Sequence, residues 1–274
     1  MHPFCKTVAV LFIALNCSPV FADNWPSWRG PTGNGLCREK NLPVEWSPTT
    51  NMAWKLALPG PAGATPVVWG EQIFLTSVTD AGELVLIGIE SSGKEQWRTI
   101  VSGGNKIARG DEGNSASPSP VTDGVHVWTF MGNGVLACYT VHGEDVWKFN
   151  TEDRYGPFNI MFGMSSTPVL DTGVLYLQLI HGDGDAKTTE ACVVALDGLT
   201  GKQIWRVDRP SDAVAENEHS YASAMLYQDA EKKFLLTHGA DFIIAHDLKD
   251  GHELWRCGGL NRRDDSVLAY DRSL

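Results

Sequence analysis

Asp197-Gly198-Leu199-Thr200-Gly201-Lys202-Gln203-Ile204-Trp205 decides how this chain folds, because the same nine-residue outline occurs three more times. The other copies run from Ile89 to Trp97, from Tyr139 to Trp147 and from Asp247 to Trp255. In each copy a glycine stands four residues before the tryptophan: Gly93, Gly143, Gly201 and Gly251. The tryptophans are spaced by 50, 58 and 50 residues. A second element precedes each copy, reading Ala64-Thr65-Pro66-Val67, Pro118-Ser119-Pro120-Val121, Ser166-Thr167-Pro168-Val169 and, more weakly, Ala222-Ser223-Ala224-Met225. Self-similarity at a period of about 50 residues is the mark of solenoids, propellers or arrays.

The contents of each period choose among these. Val125 to Phe130, Val174 to Leu179 and Phe234 to His238 are short runs rich in β-branched and aromatic residues. Asp123-Gly124 and Asn133-Gly134 bracket the first run with tight-turn dipeptides. The repeated glycine falls where a hairpin turn needs positive φ, and the tryptophan lies in the outgoing strand, where its flat ring can seal neighbouring sheets together. No amphipathic helical stretch of useful length interrupts the pattern, which removes helical solenoids. About 50 residues holding four short strands make one propeller blade. A plain β-sandwich gives no reason for four in-register Gly-x-x-x-Trp copies.

The composition agrees. The chain has 274 residues, 43% hydrophobic and 20% charged, with 28 glycines and 10 tryptophans, which suits a globular chain with many turns. A net charge of -11 argues against binding nucleic acid or anionic lipid, both of which ask for cationic contacts. His2 and Lys6, the apolar run Val8 to Leu15 and Val20-Phe21-Ala22 have the layout of a secretory signal peptide over residues 1–22. The apolar run is too short to span a bilayer, which needs about 20 residues. Cys17 lacks the small preceding residue of a lipidation site, since Asn16 stands there. The remaining chain, 23–274, keeps Cys37, Cys138, Cys192 and Cys257. An oxidising compartment permits disulfides among these four, and the sequence leaves their pairing open. No C-x-x-C pair is present, which argues against structural zinc.

The outline A-x-D-x-x-T-G-x-x-x-W resembles the pyrroloquinoline-quinone (PQQ) type propeller repeat. Ala195, Asp197, Thr200, Gly201 and Trp205 match it closely, and Asp247, Gly251 and Trp255 match in part. The first two copies depart: Ile89 and Tyr139 replace the Asp, so that only the turn glycine and the tryptophan are kept. Trp25-Pro26-Ser27-Trp28-Arg29-Gly30-Pro31 resembles the opening segment of exported bacterial proteins built from such repeats. The likeness spans roughly residues 25–260. It implies an all-β propeller of four-stranded antiparallel blades. Four to five blades are legible if Trp54 belongs to the outer strand of a fifth. Relatives of this kind have seven or eight blades, so the expectation is part of a larger ring, with a small closed ring as the rival. The polar stretch from Arg262 to Leu274 matches no repeat.

The resemblance also raises PQQ chemistry. In such enzymes the quinone lies between a tryptophan and a ring made by two adjacent cysteines, beside a Ca²⁺ held by carboxylates and an amide. No Cys-Cys pair and no haem attachment motif occur here. Nucleophile-elbow, zinc-protease, phosphate-loop and kinase signatures are also absent from the sequence. His181-Gly182-Asp183-Gly184-Asp185 offers carboxylates two apart but no ladder to a bidentate Glu, so it is read as a solvated loop.

Polar residues ahead of the Pro-Val elements should line a channel mouth: Glu112, Asn114, Ser117, Ser165, Glu218, His219 and Tyr221. Replacing Glu218 and His219 should then weaken binding without lowering thermal stability. The expectation for function is an exported, non-catalytic binding or scaffold module in the periplasm or outside the cell. It would meet protein partners or a small ligand at the channel mouth, with no nucleic acid and no membrane span. The alternative is a PQQ-dependent oxidoreductase using PQQ and Ca²⁺, or a degenerate relative of one.

Overall fold

The computed structural model describes residues 23–106, 113–182, 191–213 and 215–260. Residues 1–22, Glu112, Asp183, Asp185 and the polar stretch 261–274 lie outside the described residues.

Four four-stranded antiparallel sheets follow one another along the chain, each a simple meander. The first blade holds β1 (Val67–Trp69), β2 (Gln72–Val78), β3 (Leu84–Glu90) and β4 (Glu95–Ser102). The second holds β5 (Val121–Thr122), β6 (His126–Phe130), β7 (Val135–Thr140) and β8 (Asp145–Asn150). The third holds β9 (Val169–Asp171), β10 (Val174–Leu179), β11 (Cys192–Asp197) and β12 (Gln203–Asp208). The fourth holds β13 (Met225–Gln228), β14 (Lys233–Gly239), β15 (Phe242–His246) and β16 (Glu253–Cys257).

Middle strands are sandwiched between neighbouring sheets and read as near-continuous apolar runs. In β3, Leu-Val-Leu-Ile-Gly-Ile is buried on both faces, whereas the outer strand β4 alternates half-buried with exposed residues. Three apolar clusters fill the gaps between blades. Phe74, Leu86, Val127 and Tyr139 join blades one and two. Trp128, Leu136, Leu175 and Val194 join two and three. Tyr176, Val193, Ala224 and Leu235 join three and four.

The Gly-x-x-x-Trp repeat is an interlock between blades. A methyl group on Gly143 would come within 2.7 Å of the Trp97 ring, one on Gly201 within 3.0 Å of Trp147, and one on Gly251 within 2.6 Å of Trp205. All four turn glycines have positive φ, between 63° at Gly201 and 88° at Gly93. Each indole also donates Nε1–H to a carbonyl of the turn it covers: Trp97 to Val141 at 3.0 Å, Trp147 to Gly198 at 2.9 Å and Trp205 to Leu248 at 3.0 Å. Directly across the sheet from each tryptophan stands a small residue, Gly88, Cys138, Ala195 or Ala245, and a register shift follows it. Small side chains there leave room for the ring.

Trp54 completes the series from outside any sheet. It packs on Gly93 and donates to the Ser91 carbonyl at 2.7 Å, as an outer-strand tryptophan of a preceding blade would. With it, Leu56 and Leu58 cover the free face of blade one at Leu75, Val85, Ile87 and Ile89.

One detail of the repeat is corrected. Ile89 and Tyr139 do not replace the Asp of the outline, because the turns of blades one and two are one residue shorter. Gly93 and Gly143 bond back three residues, to Glu90 and Thr140, whereas Gly201 and Gly251 bond back four, to Asp197 and Asp247. Glu90 and Thr140 are thus the structural counterparts of the two aspartates.

The N-terminal segment ties inner strands together. Trp25 forms an antiparallel bridge to Val68, the Pro26 carbonyl accepts from Thr122 N–H at 2.9 Å, and Arg29 Nη1 reaches Met225 Sδ at 3.5 Å. These contacts lie on blades one, two and four. No helix among the described residues is long and apolar enough to cross a membrane.

Candidate functional site

A meander of four strands puts its first and third turns at one end and its second turn at the other, together with the connection to the next blade. The interlocking glycines therefore sit at one end of the blades. The connections carrying Asn114, Ser117, Ser165, Glu218, His219 and Tyr221 sit at the opposite end.

There the connections into blades two and three enclose a cavity of about 280 Å³. Asn114, Ser117 and Ser165 line it, together with Lys106, Phe158, Met161 and Phe162. Its wall is held by local bonds. Asn114 Oδ1 accepts from Ala116 N–H at 2.8 Å, Ser117 Oγ donates to the Asn114 carbonyl at 2.7 Å, and Ser115 Oγ accepts from Lys106 N–H at 2.9 Å. Gly132, in the second turn of blade two, is wedged beneath: a methyl group there would lie 2.7 Å from the Met164 carbonyl.

The third polar segment stands behind this wall. Ser165 Oγ donates to the Tyr221 carbonyl at 3.1 Å, and the Phe162 and Tyr221 rings lie 5.9 Å apart. His219 is buried, with Nδ1 accepting from Met161 N–H at 3.3 Å and Nε2 facing the Gly182 carbonyl at 3.2 Å. That places its proton on Nε2. Glu218 is buried against Gly182. Both side chains thus support the cavity wall, and an unchanged melting temperature on their replacement does not suit such burial. Glu112 lies outside the described residues.

Three supporting residues stand outside the expected set. His181 Nδ1 accepts from Asn159 N–H at 3.3 Å, so two imidazoles hold alternate residues of one cavity-lining segment. Burial, and then the neighbouring His219, push the His181 imidazole down to about 4, while Glu152 acts in the opposite direction. Gln178, almost fully buried, donates to Ser220 Oγ at 3.0 Å and the Ala222 carbonyl at 2.9 Å. Arg209, also buried, donates through Nη2 to the carbonyls of Gly239 at 2.9 Å and Phe242 at 2.7 Å, and burial brings its guanidinium down to about 10. It fixes the second turn of blade four at this same end.

PQQ with a divalent cation asks for carboxylates, an amide and a pair of adjacent cysteines. The described residues do not fit that set. The described lining of the cavity has an amide at Asn114 but no carboxylate and no cysteine. Cys138 and Cys192 are buried in separate blades, and Cys37 and Cys257 are exposed; all four are unpaired. Among the described residues, the one cluster with metal-ligand spacing is Asp247, Asp250 and His252. It lies in the third turn of blade four, at the end away from the cavity.

Comparison with known proteins places these features. Residues 83–264 match the PQQ-like family described as outer membrane protein assembly factor BamB. Polyvinylalcohol dehydrogenase from a Pseudomonas species is 23% identical over 67% of this chain, and that from Sphingopyxis sp. strain 113P3 is 25% identical over 68%. The chain spans 29% and 28% of their lengths, under a third of each. Among solved structures, BamB from Moraxella catarrhalis superposes with a TM-score of 0.51 at 16% identity, over 77% of this chain and 56% of its own. A europium-containing methanol dehydrogenase gives 0.55 at 13% identity, over 73% and 42%. Quinohemoprotein alcohol dehydrogenase from Comamonas testosteroni gives 0.51 at 17% identity, over 72% and 35%. The shared feature is the fold: sheets arranged as propeller blades.

Proposed function

Because this chain belongs to the PQQ-like propeller family described as outer membrane protein assembly factor BamB, we propose that it is a non-catalytic binding or scaffold module. Residues 1–22 direct it to the periplasm or outside the cell. It takes a protein partner or small ligand at the end of the blades that carries Asn114, Ser117, Ser165 and Tyr221, with Glu218 and His219 as the supporting layer. Glu112 belongs to the same connection as Asn114.

The observation that carries this reading is the chemistry of the cavity. Its described lining offers hydroxyls, an amide, aromatic rings and one exposed lysine, Lys106. Such a surface can bind by shape and hydrogen bonding. Among its described lining residues no carboxylate stands beside these groups.

The second reading is a quinoprotein-type oxidoreductase, and the two polyvinylalcohol dehydrogenase relatives favour it. One titration separates the two. PQQ with Ca²⁺ should leave the tryptophan fluorescence unchanged and give no dye-linked oxidation of alcohols or polyvinylalcohol. Saturable quenching accompanied by oxidation would overturn the proposal. A photo-crosslinking residue at Ser165 should trap a partner in the periplasm, and Lys106→Glu should reduce that yield without altering the melting temperature. If neither position affects any complex, the cavity is not the binding surface.

A further inference from the structure

We infer that Met161 is an oxidation site through which hydroperoxides regulate the cavity: its thioether becomes a sulfoxide in the cavity wall, and binding there falls. The regulation rests on the cavity being the binding surface, as proposed above.

The methionines differ sharply in what they offer an oxidant. Met131 and Met164 are 0% and 2% exposed, inside the apolar clusters between blades. Met225 is partly buried, and its sulfur already accepts from Arg29 Nη1 at 3.5 Å. Met52 and Met161 are open, at 46% and 53%. Met52 lies with Trp46 and Trp54, whereas Met161 lines the cavity.

Met161 is also held in place. Its N–H donates to His219 Nδ1 at 3.3 Å, and two residues earlier Asn159 N–H donates to His181 Nδ1 at the same distance. Two buried imidazoles thus pin the backbone from behind. A change in the polarity of this side chain cannot be relieved by withdrawing the segment. The neighbouring side chains in the lining, Phe158, Ile160 and Phe162, are apolar.

The step needs only a hydroperoxide as oxidant. A sulfur lone pair attacks the terminal peroxide oxygen, an S–O bond forms and the O–O bond breaks. The peroxide proton passes to the departing oxygen, which leaves as an alcohol, or as water when the oxidant is hydrogen peroxide. Sulfur gives up two electrons and the peroxide gains them. The product is a polar sulfoxide, and sulfoxide reductases return it to the thioether. When a ligand covers the wall, the new oxygen is an acceptor carried into an apolar contact, which costs binding.

The purified protein is treated with dilute hydrogen peroxide, the excess is removed with catalase, and oxidised peptides are mapped by mass. Met161 and Met52 should gain oxygen first, and Met131 and Met164 only on unfolding. Crosslinking from Ser165 in a periplasmic extract gives the binding readout. Treatment should lower the yield by about fivefold or more, because the sulfoxide oxygen loses water without gaining a partner. A methionine sulfoxide reductase should restore it. Met161→Leu has its own untreated yield, which peroxide should not lower, whereas Met52→Leu should lose yield as the parent does. Circular dichroism confirms that treatment leaves the sheet content intact. A Met161 that stays reduced while Met52 oxidises overturns the inference, and so does an oxidised Met161 with an unchanged yield. An untreated protein that crosslinks to nothing is a different failure: it removes the binding surface itself, and the regulation with it.

Discussion

Gln178 and His238 exchange two hydrogen bonds across the gap between blades three and four. The Gln178 side-chain nitrogen donates to the His238 carbonyl at 3.0 Å, and His238 N–H donates to Gln178 Oε1 at 3.2 Å. Pairing of β14 with β13 ends at Leu236, opposite Met225, so the amide of Gln178 stands in for the missing stretch of inner strand. Gln178→Leu keeps the volume and removes every partner at once. It should cost about 2–4 kcal/mol, because buried donors and acceptors are left unmade. Urea unfolding would show this, with early hydrogen exchange at His238.

The interlock predicts a contrast between identical side chains. Trp205→Ala should cost about 3–5 kcal/mol, since the ring is buried and seals Gly251. Trp255→Ala should cost far less, since that ring is 44% exposed. Gly251→Val should be as harmful as Trp205→Ala, because it adds a clash with the indole to a positive φ that β-branched residues resist.

Acid should loosen the cavity wall before it unfolds the blades. The folded state holds His181 down at about 4, against an ordinary value of 6.5. The unfolded chain therefore binds the proton more readily. The stabilisation is complete above about pH 6.5 and is lost as pH falls from there towards 4, amounting to about 3 kcal/mol. His246 is lowered in the same direction, chiefly by burial, and adds to the slope. His181→Asn keeps an acceptor for Asn159 N–H but cannot take the charge. Its stability should fall less between pH 7.5 and pH 5, and equal slopes for the two proteins would refute the assignment.

Thiol chemistry should divide the cysteines by depth. Burial, and then Asp123, push the Cys138 thiol up to about 12, and burial raises Cys192 as well. In a chain beginning at Asp23, Cys37 and Cys257 should react promptly with a thiol reagent near neutral pH, and Cys138 and Cys192 only on unfolding. Release of fewer than two fast thiols would indicate that the exposed pair had become oxidised.

His219→Ala should lower the melting temperature, because it removes the acceptor for Met161 N–H and opens a void behind the cavity. Binding at the cavity should fall with it. Lys106→Glu, at the exposed lining, should reduce binding alone, and a thermal melt beside a crosslinking assay separates the two effects.

The propeller was legible because its information is local and repeated. A glycine forced to positive φ and a tryptophan four residues later recur at Gly93, Gly143, Gly201 and Gly251, whatever the surrounding residues. A fixed offset was also why the turns of blades one and two were misread at Ile89 and Tyr139, since a one-residue contraction moves the partner without moving the glycine. The site was legible by half. Asn114, Ser117 and Ser165 could be placed because polar stretches ahead of each first strand must lie at one end of the blades. The depth of Glu218 and His219 could not, since it depends on Met161 and Gly182, residues brought there by other connections. Gln178 and Arg209 lie at or just beyond the end of a strand and announce nothing by spacing.

Each blade closes on near neighbours in sequence and can assemble as its own residues become available. The segment at Trp25, Pro26 and Arg29 cannot. Its seats are Val68, Thr122 and finally Met225, 196 residues beyond Arg29. Closing so long a loop comes late, because its entropy cost precedes any reward. Trp25 can be seated as soon as Val68 of blade one is in place, whereas the Arg29 contact waits for blade four, so one short segment is fixed in two separate stages.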